Sequence, residues 1–407
     1  MPPNTQDFLS PSDTSLFVWE RILVSRPFAR WGDVMVAVKG LGGAKASFAP
    51  DFARHSQLVT LVAVIGLIRG NLETVHFFLI REPVMNDVNA TKTSDALLVK
   101  EAADRFRANV GRVMVGKERA TDLVFISLLS EGHVLVEDVP GVGKTLLAKA
   151  TARSLECIFK RIQCTPDLLP SDVLGIYFFN QKNSEFELRP GPIFANVVLV
   201  DEINRAMPRT QSSLLECMQE QQITVDWETM KLPRPFMIMA TQNPIELEGT
   251  FPLPEAQLDR FLLKVKLGYP SKEEEASVLV RFQQDNPMDD LHSIMKVHEL
   301  LELQKLSRRI YIEDSVREYI VALVRATREH KDVKLGTSTR SALALQISAQ
   351  ALAGCQGRGY VIPDDIKTLA VPVLSHRLLT KTEARLKGRS EETIVEEILS
   401  NVPVPAE

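Results

Sequence analysis

The sequence has few cysteines, and its charges are nearly balanced. None of the four cysteines among its 407 residues belongs to a C-x-x-C pair; they are Cys157, Cys164, Cys217 and Cys355. This scarcity excludes a disulfide framework and a zinc-ribbon site, and it favours reduced, buried thiols in a cytoplasmic protein. The formal net charge of -4 excludes the strongly basic footprint typical of nucleic-acid-binding proteins. We therefore expect no nucleic-acid partner.

The sequence also lacks a hydrophobic run long enough to cross a bilayer. The apolar stretch LVTLVAVIGLI, at 58–68, has 11 residues, whereas a transmembrane helix needs about 20. The stretch also lies too far from Met1 to serve as a signal peptide. We predict no membrane span and interpret this stretch as a buried element or a stray segment.

The character of the chain changes near residue 95. Residues 1–94 are punctuated by prolines and show neither a helical nor a strand period. We interpret them as an uncharacterised extension that is either disordered or not a native domain. One hypothesis is that translation starts at Met85, which leaves 407 − 84 = 323 residues. The alternative is a genuine extension that docks a partner.

From residue 95 onward, four short and nearly continuous apolar runs alternate with helical patterns. The runs are HVLVEDV, NVVLVDE, PFMIMATQN and FLLKVKL. Strands covered by helices on both faces have this appearance, and the alternation predicts an α/β fold with a parallel sheet flanked by helices, at 95–268. Helices are predicted at 146–154 and 212–220, between the strands.

After Tyr269 the strand patterns stop. Ser271 and Glu274 have the spacing of a capping box, and helices are predicted around 299–309, 313–330, 338–354 and 363–380. We therefore predict an all-helical second domain at 269–400, followed by a short tail at 401–407.

The stretch EDVPGVGKT, at 137–145, is typical of a phosphate-binding loop between a strand and a helix. Gly143, Lys144 and Thr145 match the pattern G-x-x-x-x-G-K-[ST], but Asp138 replaces the first glycine. Aspartate can adopt the left-handed backbone that glycine favours, so we expect the departure to be tolerated. Lys144 is expected to bind the β- and γ-phosphates, and Thr145 to bind Mg²⁺. Taken alone, the stretch could also be an ordinary glycine-rich turn.

A second acidic motif follows at the end of the run VVLVDE. Ligands of open α/β sheets bind beyond the carboxyl ends of the strands, so Asp201 and Glu202 should lie beside the loop. Asp201 is expected to complete the Mg²⁺ shell through water, and Glu202 to polarise the attacking water.

Together, these motifs resemble the MoxR family of AAA+ ATPases over roughly residues 95–380, and DEINRA, RPGPIF and ATQNPIE, at 201–206, 189–194 and 240–246, are the most specific parts of the match. The resemblance implies that Asn243 is the sensor-1 residue and Arg260 the arginine finger that a neighbouring subunit receives. Arg340 matches the sensor-2 arginine, and Val115 and Gly116 match the adenine contacts. The implied nucleotide-binding loop comprises Pro140, Gly141, Val142, Gly143, Lys144, Thr145 and Leu146.

The resemblance also implies a function. ATP would be hydrolysed with Mg²⁺ between subunits of a homo-oligomeric, hexameric ring, in a chaperone-like role on client proteins. Partners in this family often carry von Willebrand A domains. No N-K-x-D motif is present, which disfavours GTP. Two alternatives stay open: a DNA-directed AAA+ motor, and a nucleotide-gated scaffold with little turnover.

Two further stretches, at 177–194 and 222–236, alternate in the manner of β-hairpins, and Trp227 lies near the tip of the second. In related machines such hairpins line a central pore or contact the substrate. Two ordinary surface hairpins would give the same pattern.

Overall fold

The computed structural model describes residues 17–19, 60–68, 71–80, 85–243, 249–283 and 287–405. The chain divides into two compact units, Met1–Ala90 and Thr91–Glu407. In the first unit, β1 (Phe17–Trp19), β2 (Thr60–Ile68) and β3 (Asn71–Ile80) form an antiparallel sheet in that order. Most of the predicted extension at 1–94 lies outside the described residues, and its interpretation stays a prediction.

The apolar stretch at 58–68 corresponds largely to strand β2. Across the part of the chain that the structure describes, no helix has both the length and the apolarity that a bilayer crossing requires.

The second unit is built on a five-stranded parallel sheet in the order β12-β4-β11-β8-β5. Two separate antiparallel hairpins pair β6 with β7 and β9 with β10, which confirms both predicted hairpins. The strands are β4 (Val134–Glu137), β5 (Phe159–Gln163), β6 (Gly175–Asn180), β7 (Glu185–Pro190), β8 (Val197–Asp201), β9 (Gln222–Val225), β10 (Glu228–Lys231), β11 (Met237–Gln242), β12 (Leu263–Val265), β13 (Val333–Leu335) and β14 (Leu379–Thr380).

The central strands are apolar throughout because both faces of the sheet are covered. In β8, Val197 and Leu199 pack into one core cluster, whereas Val198 and Val200 pack into a second cluster on the other face. All four predicted strands are present. Strand β5 was not predicted, because FKRIQ is an edge strand whose side chains are mostly exposed.

Thirteen helices are resolved among the described residues, and the helix predicted at 146–154 is present as Lys144–Ser154. They are α1 (Met85–Val110), α2 (Glu118–Leu129), α3 (Lys144–Ser154), α4 (Pro170–Leu174), α5 (Pro208–Glu220), α6 (Glu255–Leu258), α7 (Lys272–Arg281), α8 (Val297–Arg308), α9 (Asp314–Glu329), α10 (Thr339–Cys355), α11 (Pro363–Leu374), α12 (Thr382–Leu386) and α13 (Glu391–Asn401).

The region after Gly268, called the lid below, is helical as predicted. The capping box of α7 is formed, with the Ser271 hydroxyl accepting the N–H of Glu274 at 3.2 Å. The helix predicted at 363–380 ends at Leu374, and Pro372 in its last turn removes one helical hydrogen bond there. A 3₁₀ turn at Ser375–Arg377 follows, and β14 then pairs with β13. The lid is therefore not purely helical.

The lid is joined to the sheet by a cluster of charges around Lys264 of β12. Its Nζ lies 3.1 Å from Glu137 of β4 and 2.7 Å from Glu392 of α13. Burial alone would lower the pKa of Lys264, but the two carboxylates raise it. Burial alone would raise the pKa of Glu392, but hydrogen bonds from Lys264 and Lys266 lower it to about 2. Lys264 and Glu392 are therefore both ionised at neutral pH.

We predict that Glu392→Gln lowers the free energy of unfolding by about 1–3 kcal/mol at pH 7, because a mostly buried lysine loses one of its two carboxylates. The pKa of Glu392 falls from 4.5 to about 2 on folding, so the wild-type advantage is complete above pH 4.5 and is lost as the pH falls towards 2. Urea unfolding at pH 7, 5 and 3 measures this difference. Glu396→Gln, an exposed substitution on the same helix, is the control, and an equal loss in both variants would contradict the prediction.

Candidate active site

The phosphate-binding stretch forms the turn between β4 and α3. Gly141 and Gly143 have φ values of +86° and +92°, a left-handed conformation that glycine adopts without strain. Gly143 caps α3 without a side-chain hydrogen bond, so the first N–H groups of the helix have no intrahelical partner. A Cβ placed on Gly141 would meet nothing within 4 Å. The turn therefore offers open space, amide donors and the positive end of a helix dipole to an anion.

Two further elements border this turn. Lys144 donates from Nζ to the main-chain oxygen of Asp138 at 2.6 Å. A Cβ on Gly143 would lie 3.5 Å from Cε of Met114, so the segment that contains Val115 and Gly116 runs beside the turn. Gly116 (φ +67°) packs against the Glu274 side chain of α7 so closely that a Cβ there would clash at 1.9 Å. The predicted adenine contacts are thus adjacent to both the turn and the lid.

Asp138 does not behave as the sequence suggested. The expectation that it takes a left-handed backbone is wrong, since Asp138 is absent from the residues with positive φ. Its carboxylate instead accepts hydrogen bonds. Oδ2 accepts the N–H groups of Leu267 and Gly268 at 2.6 and 2.7 Å, and Oδ1 accepts that of Val139 at 2.9 Å. A glycine at this position could make none of these contacts.

The acidic pair lies at the end of β8, and Thr241 of β11 organises it. The Thr241 hydroxyl donates to Oδ1 of Asp201 at 2.6 Å and accepts the N–H of Glu202 at 2.8 Å. Arg161 of β5 forms an ion pair with Oδ2 of Asp201 at 2.6 Å. Carboxylate and hydroxyl oxygens are the ligands that Mg²⁺ prefers, so Asp201 and Thr145 fit this metal chemically.

Glu202 has a left-handed backbone, with φ of 56°. Such a conformation costs a non-glycine residue about 1–3 kcal/mol and clusters at functional sites. Its carboxylate accepts hydrogen bonds from Arg205 at 3.0 Å and from Gln163 at 3.3 Å. The strained turn therefore places Glu202 directly after the end of β8.

The strand register brings these groups to one edge of the sheet. Thr241 pairs with Val136 of β4, and Gln242 pairs with Glu137. Asn243, which is buried, follows directly after β11, and the N–H of Asp138 donates to the Gln242 oxygen at 3.2 Å. The turn, the acidic pair and Asn243 therefore meet at the carboxyl edge. Residues 244–248 of the ATQNPIE stretch lie outside the described residues.

Arg260 lies at the amino ends of the strands, opposite the carboxyl edge of the sheet. It follows α6 and precedes the first residue of β12, which pairs with Val134, the first residue of β4. The N–H of Leu262 donates to the His133 oxygen at 2.8 Å, which fixes this level. Arg260 is thus separated from the phosphate-binding turn of its own chain by the length of β4, about 13 Å at roughly 3.3 Å per residue.

Arg340 belongs to the same group as Arg260, through Asp259. The Asp259 carboxylate lies 3.8 Å from Arg340 and accepts a hydrogen bond from Ser338 at 3.1 Å, both residues being at the start of α10. It also accepts a hydrogen bond from Nε of Arg377 at 2.9 Å. The Asp259 carboxylate, which directly precedes Arg260 in the chain, therefore contacts three side chains of the lid.

Arg377 binds the backbone on both sides of Arg260, since its guanidinium also donates to the main-chain oxygen of Asp259 at 3.5 Å. Its guanidinium donates to the main-chain oxygens of Phe261 at 2.5 Å and Leu262 at 3.2 Å, and His376 contacts the Phe261 oxygen at 3.0 Å. Burial lowers the pKa of Arg377 to about 10, with Asp259 opposing that fall, so the side chain stays charged at neutral pH. The segment 259–262 is fixed to its own lid.

The sequence prediction missed several residues of both groups. Thr241 lies in the ATQNPIE stretch, in which only Asn243 was assigned a role. Arg161 and Gln163 lie on the strand that was not predicted, and Asp259 and Arg377 are separated by 118 positions. The cysteines were predicted to be buried, which holds for Cys164, Cys217 and Cys355, whereas Cys157 is partly exposed. Burial raises the pKa of Cys164 and Cys217 to about 12.

Comparisons with known proteins agree with this arrangement. Residues 133–263 match the ATPase family associated with various cellular activities (AAA), and residues 325–398 match the AAA lid domain. The chain is 52% identical over 299 residues to the uncharacterised protein YeaC of Bacillus subtilis, covering 74% of this chain and 93% of that protein.

Chaperone MoxR1 of Mycobacterium tuberculosis is 42% identical over 305 residues, which cover 73% of this chain and 80% of the relative. A crystal structure of a proposed ATPase from Cytophaga hutchinsonii superposes with a TM-score of 0.73 at 39% identity, and the match covers 78% of this chain and 99% of the other.

Proposed function

This chain belongs to the MoxR family of AAA+ ATPases, and we propose that it hydrolyses ATP between subunits of a homo-oligomeric ring. The observation that carries the proposal is the separation of Arg260 from the phosphate-binding turn, which lie at opposite edges of one sheet. A catalytic arginine in that position can act only on a nucleotide held by another subunit.

Within one subunit, the carboxyl edge of the sheet binds the nucleotide. The amides of the turn and Lys144 would hold the phosphates, and Thr145 and Asp201 would hold Mg²⁺, which would supply positive charge to the phosphates. Glu202 orients and deprotonates the attacking water, and Asn243 positions that water against the γ-phosphate. Arg161 is the counter-ion of Asp201.

The neighbouring subunit supplies the positive charge that the reaction lacks. Arg260 follows Asp259 in the chain, and the Asp259 carboxylate lies 3.8 Å from Arg340; we propose that both arginines act at the subunit interface. Phosphoryl transfer spreads negative charge over the γ-phosphate oxygens, and guanidinium matches that geometry. The family resemblance supports a hexamer.

We also assign the two hairpins to client binding. Trp227, in the turn between β9 and β10, stacks on Tyr177 of β6 with ring centroids 5.0 Å apart, and it meets Phe186 of β7 edge-on at 5.9 Å. Trp227, Phe186 and Phe179 are nevertheless 69%, 60% and 51% exposed. An exposed aromatic patch of this kind marks an interaction surface, and it suits an apolar segment of a client protein.

The role that fits these parts is a chaperone-like one in the cytoplasm, in which ATP turnover moves the hairpins against a client. A partner with a von Willebrand A domain is proposed from the family resemblance alone. An ATPase assay with and without DNA separates this role from a DNA-directed motor.

We predict that Glu202→Gln binds ATP with the wild-type affinity and lowers kcat by at least about 10²-fold, because the amide cannot accept the proton of the attacking water. Fluorescent-nucleotide titration and phosphate release measure the two quantities. Lys144→Ala is the contrasting variant, since it should lose nucleotide affinity itself. Normal turnover by Glu202→Gln would refute the assignment.

We predict that Arg260→Ala binds ATP normally and loses about 10³-fold in kcat. An equal mixture with inactive Lys144→Ala should recover about one quarter of the wild-type rate, because a site works when its subunit retains Lys144 and its neighbour retains Arg260. Phosphate release from the mixture is compared with each variant alone. Activity no greater than the sum of the two would show that Arg260 does not act across an interface.

We predict that Trp227→Ala weakens binding of a chemically unfolded, alkylated model protein by at least about tenfold, because a stacked aromatic side chain at the centre of the patch is removed. Fluorescence anisotropy of the labelled model protein gives the Kd. Leu386→Ala removes a side chain that is 83% exposed on the lid and serves as the control. Equal affinity of both variants would place client binding elsewhere.

A further inference from the structure

The connection between the sheet and the lid is short and is held by side chains from two other elements. Strand β12 ends at Val265 and α7 begins at Lys272, so residues 266–271 form the whole connection, called the hinge below. Gly268 has φ of +65°, and a Cβ there would meet nothing within 4 Å. Its glycine is therefore required by the backbone conformation and not by packing.

Asp138 and Lys117 both bind the backbone of the hinge: Asp138 accepts from its N–H groups, and Lys117 donates to its carbonyl oxygens. The Asp138 carboxylate accepts the N–H groups of Leu267 and Gly268 at 2.6 and 2.7 Å. Lys117, directly after the predicted adenine contacts, donates from Nζ to the oxygens of Gly268 and Tyr269 at 3.1 and 3.3 Å. Hydrogen bonds in which one partner is ionised are roughly twice as strong as neutral ones.

Asp138 contacts the loop lysine through a different atom. Its main-chain oxygen accepts the 2.6 Å hydrogen bond from Lys144. A bound triphosphate draws the same ammonium group towards the β- and γ-phosphates, so the nucleotide competes with this contact. Asp138 thus contacts both the Lys144 ammonium group, which would bind the phosphates, and the N–H groups of Leu267 and Gly268 in the hinge.

We propose that Asp138 is a positioning residue that ties the phosphate-binding loop to the hinge, so that nucleotide binding changes the orientation of the lid. The inference rests on the proposed function, in which this loop binds ATP. It gives the departure from the usual loop pattern a purpose: glycine at this position permits the turn, whereas aspartate also connects it to the lid. Because the lid carries Arg340 and clamps Arg260, the signal reaches the groups offered to the next subunit.

Hydrogen exchange measured by mass spectrometry tests this connection in the full-length chain, with and without a non-hydrolysable ATP analogue. In the wild type, the analogue should change the exchange rate of the Leu267 and Gly268 amides. In Asp138→Gly those amides should exchange at least about tenfold faster without nucleotide, because each loses a charge-assisted bond. The analogue should then have no further effect on them.

A kinetic readout separates positioning from simple loss of structure. Asp138→Gly restores the common loop residue, so KM for ATP should stay within about threefold of wild type while kcat falls at least about fivefold. Asp138→Asn keeps one acceptor oxygen and should recover part of both the protection and kcat. Asp172→Asn is the matched control, since the Asp172 carboxylate also accepts a backbone N–H, that of Leu169 at 2.9 Å, but lies outside the hinge.

The outcomes distinguish the two proposals. A wild-type chain that does not bind the analogue would overturn the proposed function. A wild type that binds it, together with an Asp138→Gly variant whose hinge exchange and kcat match the wild type, would overturn the role of Asp138 alone. Equal effects of Asp172→Asn and Asp138→Gly on hinge exchange and kcat would show that the loss of any such carboxylate is sufficient. That outcome would likewise overturn the role of Asp138.

Discussion

Backbone hydrogen bonds between parallel strands hold the ends of β4, β11 and β8 at one level, and the arrangement of every functional group follows from that register. Val136 lies opposite Thr241, which in turn reaches Asp201 through its hydroxyl. A shift of one residue in any of these pairs would exchange the side chains that pack into the two core clusters. The packing of the core therefore also fixes the relative positions of the loop, the acidic pair and Asn243.

The lid shares an apolar core with the sheet, and buried ion pairs add to this contact. Buried Arg377 and Lys264 would be costly alone, and each is compensated by carboxylates and main-chain oxygens. Ion pairs define a geometry more sharply than apolar contacts do, because the donors must meet particular acceptors. The contact therefore specifies one orientation of the lid, and a change of partners offers a route to another.

The order of elements and the identity of the loop could be predicted because they depend on short, contiguous patterns. Buried parallel strands are continuously apolar, and the capping box of α7 is local. Strand β5 could not be predicted in this way, because an edge strand is half polar. The partners of Asp138 and Asp259 depend on contacts across more than a hundred positions. Propensity carries no information about such pairs, so the explanation first given for Asp138 was wrong.

The clamp formed by Arg377 has a consequence for the timing of events in an assembly. Because the segment 259–262 hangs from its own lid, a tilt of that lid carries Arg260 with it. In a ring of such subunits, the state of one site would govern when the adjoining site receives its guanidinium. ATP hydrolysis would then proceed from one interface to the next around the ring. Simultaneous hydrolysis at all sites would require every lid to tilt at once.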